Sequence, residues 1–183
     1  MKKFFACTLM SLGCIGSGFT FAADGVVQFN GMLTEESCDL SVDGNGASDG
    51  TVIIPPVPLS ELTTIGNAAQ TEFSIALRNC NTGLTVRPRF EADNTIMGVL
   101  VNTTPPENGG AKHVNIALYN EDGESLNAGG YNVEANNPYK PVVVGGETVF
   151  NYNVGLTGVV SSSEFSATVG LVTGSLVYSI EYK

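Results

Sequence analysis

The stretch that most constrains this chain is its last fourteen residues, Gly170 to Lys183, reading GLVTGSLVYSIEYK. From Leu176 onward the even positions are Leu176, Tyr178, Ile180 and Tyr182, while Ser175, Ser179, Glu181 and Lys183 stand at odd ones, with Val177 the exception. Period-two alternation of this kind makes a β-strand with one buried face. A strand that runs to the chain terminus leaves no later segment to pair with its free edge. Long apolar edges recruit other chains unless something covers them. The sequence therefore poses one question ahead of the rest: what covers that edge?

The other end of the chain is read as a secretory signal. Lys2 and Lys3 precede an apolar run from Phe4 to about Ile15, and small residues lead to Thr20-Phe21-Ala22, which places cleavage after Ala22. The run is too short to span a bilayer. The expected mature chain is then 161 of the 183 residues, one domain with room for a core. Processing removes Cys7 and Cys14 and leaves Cys38 and Cys80, which in an exported chain read as one disulfide. The loss of two lysines takes the formal charge from −10 to −12, which argues against nucleic acid as a partner.

Between the ends the composition is that of an all-β protein. Gly numbers 22 and Trp is absent, and short runs of Val, Ile, Thr and Phe alternate with Gly, Asn and Pro. Strands are expected at Val26–Leu33, Cys38–Val42, Thr51–Ile54, Phe73–Cys80, Thr85–Ala92, Ile96–Asn102, Val114–Tyr119, Tyr131–Glu134 and Thr148–Val154. Asp122-Gly123 and Gly129-Gly130 mark turns, and Leu59–Ala69 reads as loop with at most one helical turn. This spacing points to a β-sandwich.

No constellation of catalytic residues emerges. The one histidine, His113, leads into a strand, and a triad or Cys-His pair would need it beside a nucleophile. One His and no free Cys give no zinc or copper set. Asp43–Gly50 is oxygen-rich, but Ala47 falls on a ligand position and no Glu closes the loop, so it reads as solvated rather than calcium-binding. The acidic groups Glu35-Glu36 and Glu121-Asp122 with Glu124 lack the placement of a glycosidase pair. Asn102-Thr103-Thr104 matches a glycosylation sequon, a triplet too short to mean much alone. No enzyme, metal or cofactor is expected.

The first strand of the mature chain shares the amphipathic character of the last. Val27, Phe29, Gly31 and Leu33 share one face, with Gln28 and Asn30 on the other. In a closed sandwich both strands would pair internally. The alternative is strand addition, in which an extended segment from one chain completes the sheet of another. Val27, Phe29 and Leu33 would each contribute about 1.5–3 kcal/mol on burial, and Gly31 would allow close backbone approach.

At this point the residues resemble a known family. Gly25-Val-Val-Gln-Phe-Asn-Gly31, Cys38, Phe73-Ser-Ile-Ala-Leu-Arg-Asn-Cys80, a glycine fourteen residues from the end (Gly170) and a penultimate tyrosine (Tyr182) are together similar to bacterial chaperone–usher pilins of the type 1 fimbrial class. The resemblance implies an incomplete immunoglobulin-like β-sandwich lacking its last strand. It implies a signal peptide over 1–22, a donor-strand extension over 23–34 and a pilin domain over 35–183. It implies a periplasmic chaperone lending a strand beside Leu176, Tyr178, Ile180 and Tyr182, and an outer-membrane usher at which the next subunit's extension replaces it. The implied donor residues are Val27, Phe29, Gly31 and Leu33, the implied partners are other pilins of the same fibre, and Cys38 and Cys80 match the family's disulfide. The short leader before Gly25 resembles minor or tip-proximal subunits, and the length leaves no room for a tip adhesin's second domain. Two competing expectations stand beside this one: a self-contained secreted carbohydrate-binding or adhesin domain, and a pilus assembly terminator.

Overall fold

A computed structural model describes residues 38–62, 68–80, 83–130, 136–158 and 166–183. These all fall in the unit Thr34–Lys183. The expected signal, the Val26–Leu33 strand and the Tyr131–Glu134 strand lie outside the described residues.

Among the described residues, ten strands form two antiparallel sheets. The larger sheet runs β1 (Asp39–Val42), β2 (Ala68–Arg78), β9 (Glu147–Gly158), β6 (Val114–Asn120), β5 (Val99–Val101) and β4 (Thr95–Ile96), with β7 (Ser125–Leu126) also paired to β6. The smaller sheet runs β10 (Tyr178–Tyr182), β3 (Thr85–Phe90) and β8 (Lys140–Pro141). Two single-turn 3-10 helices, Leu59–Glu61 and Pro106–Asn108, lie in connections.

Alternation sets the faces. Along β2, Phe73, Ile75 and Leu77 are buried, and directly across on β9 stand Tyr152, Phe150 and Thr148, also buried. From the smaller sheet Val86 and Phe90 close over them, fully buried. The Tyr152 ring meets Phe90 edge-on at 5.1 Å and Phe73 at 5.5 Å between centroids. Its hydroxyl donates to Asn137 Oδ1 at 3.0 Å, and Asn137 Nδ2 donates to the Pro88 carbonyl. That chain of bonds satisfies a phenol whose burial holds its pKa far above the ordinary value.

The expected disulfide is present: Cys38 and Cys80 are bonded, tying the start of β1 to the end of β2. The oxygen-rich loop Asp43–Gly50 is tied by bonds within itself and to β2. Asn45 Oδ1 accepts from the Ala47 N–H, Asn45 Nδ2 donates to the Asp49 carbonyl, and Asp43 Oδ1 accepts from the Ser74 N–H.

Two expected strands differ in the structure. Ile96–Asn102 is a tight hairpin rather than one strand, because Met97 and Gly98 both adopt positive φ, 52° and 86°, and turn the chain between β4 and β5. Thr51–Ile54 joins no ladder. Pro55 and Pro56 follow it without N–H groups, and among the described residues no strand pairs with it.

Candidate functional site: an open groove beside the last strand

Among the described residues, β10 is an edge strand. Its inner edge is fully occupied. Tyr178, Ile180 and Tyr182 stand opposite Phe90, Pro88 and Val86, and Lys183 exchanges both backbone bonds with Thr85 at 2.8 and 3.0 Å. In an antiparallel ladder bonded and non-bonded pairs alternate. Lys183 being bonded, Glu181 and Ser179 bond to β3 as well, and the backbone groups of Tyr178, Ile180 and Tyr182 face the other way.

Upstream, the same edge is held by loops. Glu91 N–H donates to the Val177 carbonyl, Thr103 N–H to the Thr173 carbonyl and Ala111 N–H to the Leu171 carbonyl, all at 2.8–2.9 Å. Gly170 makes this approach possible. A Cβ there would overlap the Ala111 nitrogen and the Gly110 carbonyl carbon.

The opposite edge faces a trough. Across it lies Gly50–Val57, and among the described residues no backbone hydrogen bond joins this segment to Val172–Val177. Val52 and Ile54 dip toward the core from one rim, and Leu176, Tyr178 and Ile180 from the other. Between the rims lie two cavities that share Ile54. The first, about 420 Å³, has core residues such as Phe73, Ile116 and Leu118 as its floor and Gly174, Leu176 and Tyr178 on its wall. The second, about 400 Å³, is bounded by Gly170, Leu171 and Val172 against Pro55, Pro56 and Leu62. Among the described residues, nothing covers this apolar core where a sandwich would carry one more strand. Leu171 and Val169 are 62% and 79% exposed at its mouth.

The sequence-predicted residues therefore divide. Leu176 and Tyr178 line the first cavity and Gly170 the second. Ile180 packs on the core but lines neither, and Tyr182 is 41% exposed beyond the end of the trough. Val27, Phe29, Gly31 and Leu33 lie outside the described residues. Sequence reasoning missed the Gly50–Val57 rim, Gly174, and a bond that crosses the trough, from the Tyr178 hydroxyl to the Ser48 carbonyl at 2.6 Å. Burial pushes the Tyr178 phenol above its ordinary pKa, and the nearby Asp49 adds to the shift.

The outer face of β10 carries an ion cluster. Glu181 binds Arg87 at 2.6 Å and Arg89 at 2.8 Å, accepts from the Tyr139 hydroxyl at 3.2 Å, and Arg87 lies 4.4 Å over the Tyr139 ring. The hydrogen bond from Arg89 holds the Glu181 carboxyl below the usual range, with Arg87 and Tyr139 reinforcing it against burial. These groups clamp β10 to β3 and leave its trough-side edge free. Among the described residues no cluster of potential metal ligands occurs.

No family profile matches the chain. The chain is 31% identical over 168 residues to the major fimbrial subunit SMF-1 of Stenotrophomonas maltophilia (strain K279a), covering 88% of this chain and 91% of that one. It is 28% identical over 180 residues to the F17 fimbrial protein of Escherichia coli, covering 94% of each. Its fold is similar to a solved chaperone–usher pilus structure with a TM-score of 0.59 at 18% identity, over 88% of this chain and 96% of that one. The expected fold is thereby borne out as an immunoglobulin-like sandwich, short of a strand among the described residues. The chain belongs to the fimbrial subunit family and is a structural subunit of a surface pilus.

Proposed function

We propose that this subunit polymerises by donor-strand exchange, the trough beside β10 receiving the extension Ala23–Leu33 of the next subunit. The observation that carries this reading is the free edge of β10 above an open apolar trough. An incoming strand would bond to the trough-side backbone groups of Tyr178, Ile180 and Tyr182 and run on past Leu176 toward Gly170. Val27, Phe29 and Leu33 would sit over the cavities, with Gly31 where the backbone must come close. Before assembly the same edge would be covered by a strand from a periplasmic chaperone, and the exchange would occur at an outer-membrane usher after export. The role is architectural, with no catalysis.

The test is complementation. A chain beginning after Leu33 is unfolded thermally with and without a synthetic Ala23–Leu33 peptide. The expected result is a melting temperature raised by ten degrees or more, since three buried anchors at about 1.5–3 kcal/mol each outweigh the ordering cost. A chain that is already stable and ignores the peptide would refute the reading.

A further inference from the structure

The Asn102-Thr103-Thr104 triplet is the one sequence motif that the groove itself does not account for. In the structure it is not a free surface sequon. Asn102 follows β5 of the larger sheet, and its side chain reaches the segment upstream of β10 that forms one rim of the trough. Its Nδ2 donates to the carbonyls of Ala111 (3.0 Å) and Leu171 (2.9 Å). Its Oδ1 accepts from the N–H groups of Thr104 and Thr173, both at 3.0 Å. Two donors and two acceptors are the whole capacity of a carboxamide. Asp could not make the two donations, and Ser has too few donors. The hydroxyls complete the knot: Thr103 Oγ1 donates to the Thr173 carbonyl at 3.1 Å, and Thr173 Oγ1 lies 2.9 Å from Thr103 Oγ1 and 2.7 Å from Thr104 Oγ1.

This matters because Leu171–Thr173 belongs to no ladder. β10 begins only at Tyr178, and upstream of it an isolated parallel bridge between Gly110 and Leu171 is the sole strand-like pairing among the described residues. Leu171 and Val172 nevertheless bound the second cavity. We propose that Asn102 is a positioning residue. Together with the backbone bonds that Gly109, Thr103 and Ala111 make to Leu171 and Thr173, it stands in for the missing ladder and holds Leu171–Thr173 in line with β10, so that the edge offered to a donor strand runs the full length of both cavities. A glycan on Asn102 is incompatible with that role, since the nitrogen to be modified already holds the rim.

The inference rests on the donor-strand reading, and the test separates the two. Labelled peptides Ala23–Leu33, Ala23–Phe29 and Val27–Leu33 are titrated into the mature full chain, wild type, Asn102→Ala and Asn102→Asp. Each variant is expected to weaken the full peptide on the order of tenfold, from the loss of about two hydrogen bonds that hold the rim. Only one end of a donor can lie over Leu171–Thr173. The loss should therefore persist for one trimmed peptide and fall to within twofold for the other. An equal loss for all three peptides, or none, would overturn the assignment. Failure of the wild type to bind any peptide would overturn the donor-strand reading and this inference with it. Hydrogen exchange on the wild type supplies a check that needs no variant: the Thr173 amide should be protected without peptide, and rapid exchange there would also overturn the assignment.

Discussion

Reduction of the Cys38–Cys80 bond is predicted to cost more than a local cross-link would suggest. The two cysteines are 42 residues apart, and the loop they close contains β1, the acidic turn, the whole Gly50–Val57 rim and β2. Closing a loop of that length removes chain entropy from the unfolded state worth about 4 kcal/mol at 25 °C. For a domain of this size each kcal/mol moves Tm by roughly 2–4 °C, so the expected loss is about 8–16 °C. Circular dichroism melts of the mature chain, oxidised, reduced, and as the Cys38→Ala/Cys80→Ala double variant, measure it. Cys38 is itself buried in the core, so the double variant should fall slightly below the reduced wild type. Because the rim lies inside the closed loop, peptide uptake should weaken in parallel. A Tm loss under about 3 °C would refute the loop argument.

Two further predictions follow from the edges of β10. Glu181→Gln should lower stability by on the order of 1–2 kcal/mol, the buried Arg87 side of the pair being costly to leave and the partly wet Glu181 side trimming the effect. Because the folded Glu181 carboxyl is held below its ordinary pKa, this contribution is complete above about pH 4.3–4.5 and is lost as pH falls through the lowered value. The Tm gap between wild type and variant should therefore close on acidification, and a gap that stays constant to pH 2 would contradict the assignment. Gly170→Ala should cost about 2 kcal/mol or more, since its Cβ would meet backbone rather than a flexible side chain; a Tm unchanged within a degree would show that the rim gives way.

The sequence was most legible where one face is buried against a continuous core. Phe73, Ile75 and Leu77 on β2 alternate as read, as does β9, and the last strand lies where its pattern puts it. The trough's second rim was legible only in part: the inward Val52 and Ile54 read as the short strand Thr51–Ile54, but alternation records which side chains are buried and not that the backbone makes no ladder. The Met97–Gly98 hairpin was hidden inside an apolar run, since a non-glycine residue at positive φ has no reliable signal in the sequence. Glu181 read as one of several solvent-facing residues. It faces Arg87 because that arginine, 4% exposed, lies directly across the ladder, a pairing that only register reveals. Asn102 looked like a modification motif because its bonds reach residues about 70 positions away.

Donor-strand exchange requires the trough-side edge of β10 to be free in the lone subunit and filled in the fibre. Residue-resolved hydrogen exchange at Tyr178, Ile180 and Tyr182 tests it directly, with Ser179 and Glu181, bonded to β3, as internal controls. Fast exchange is expected at the three even positions without peptide, slowing on the order of a hundredfold or more once Ala23–Leu33 is bound, with the odd positions slow throughout. Even-numbered amides that are already protected in the lone subunit, or that exchange equally fast with peptide bound, would contradict it.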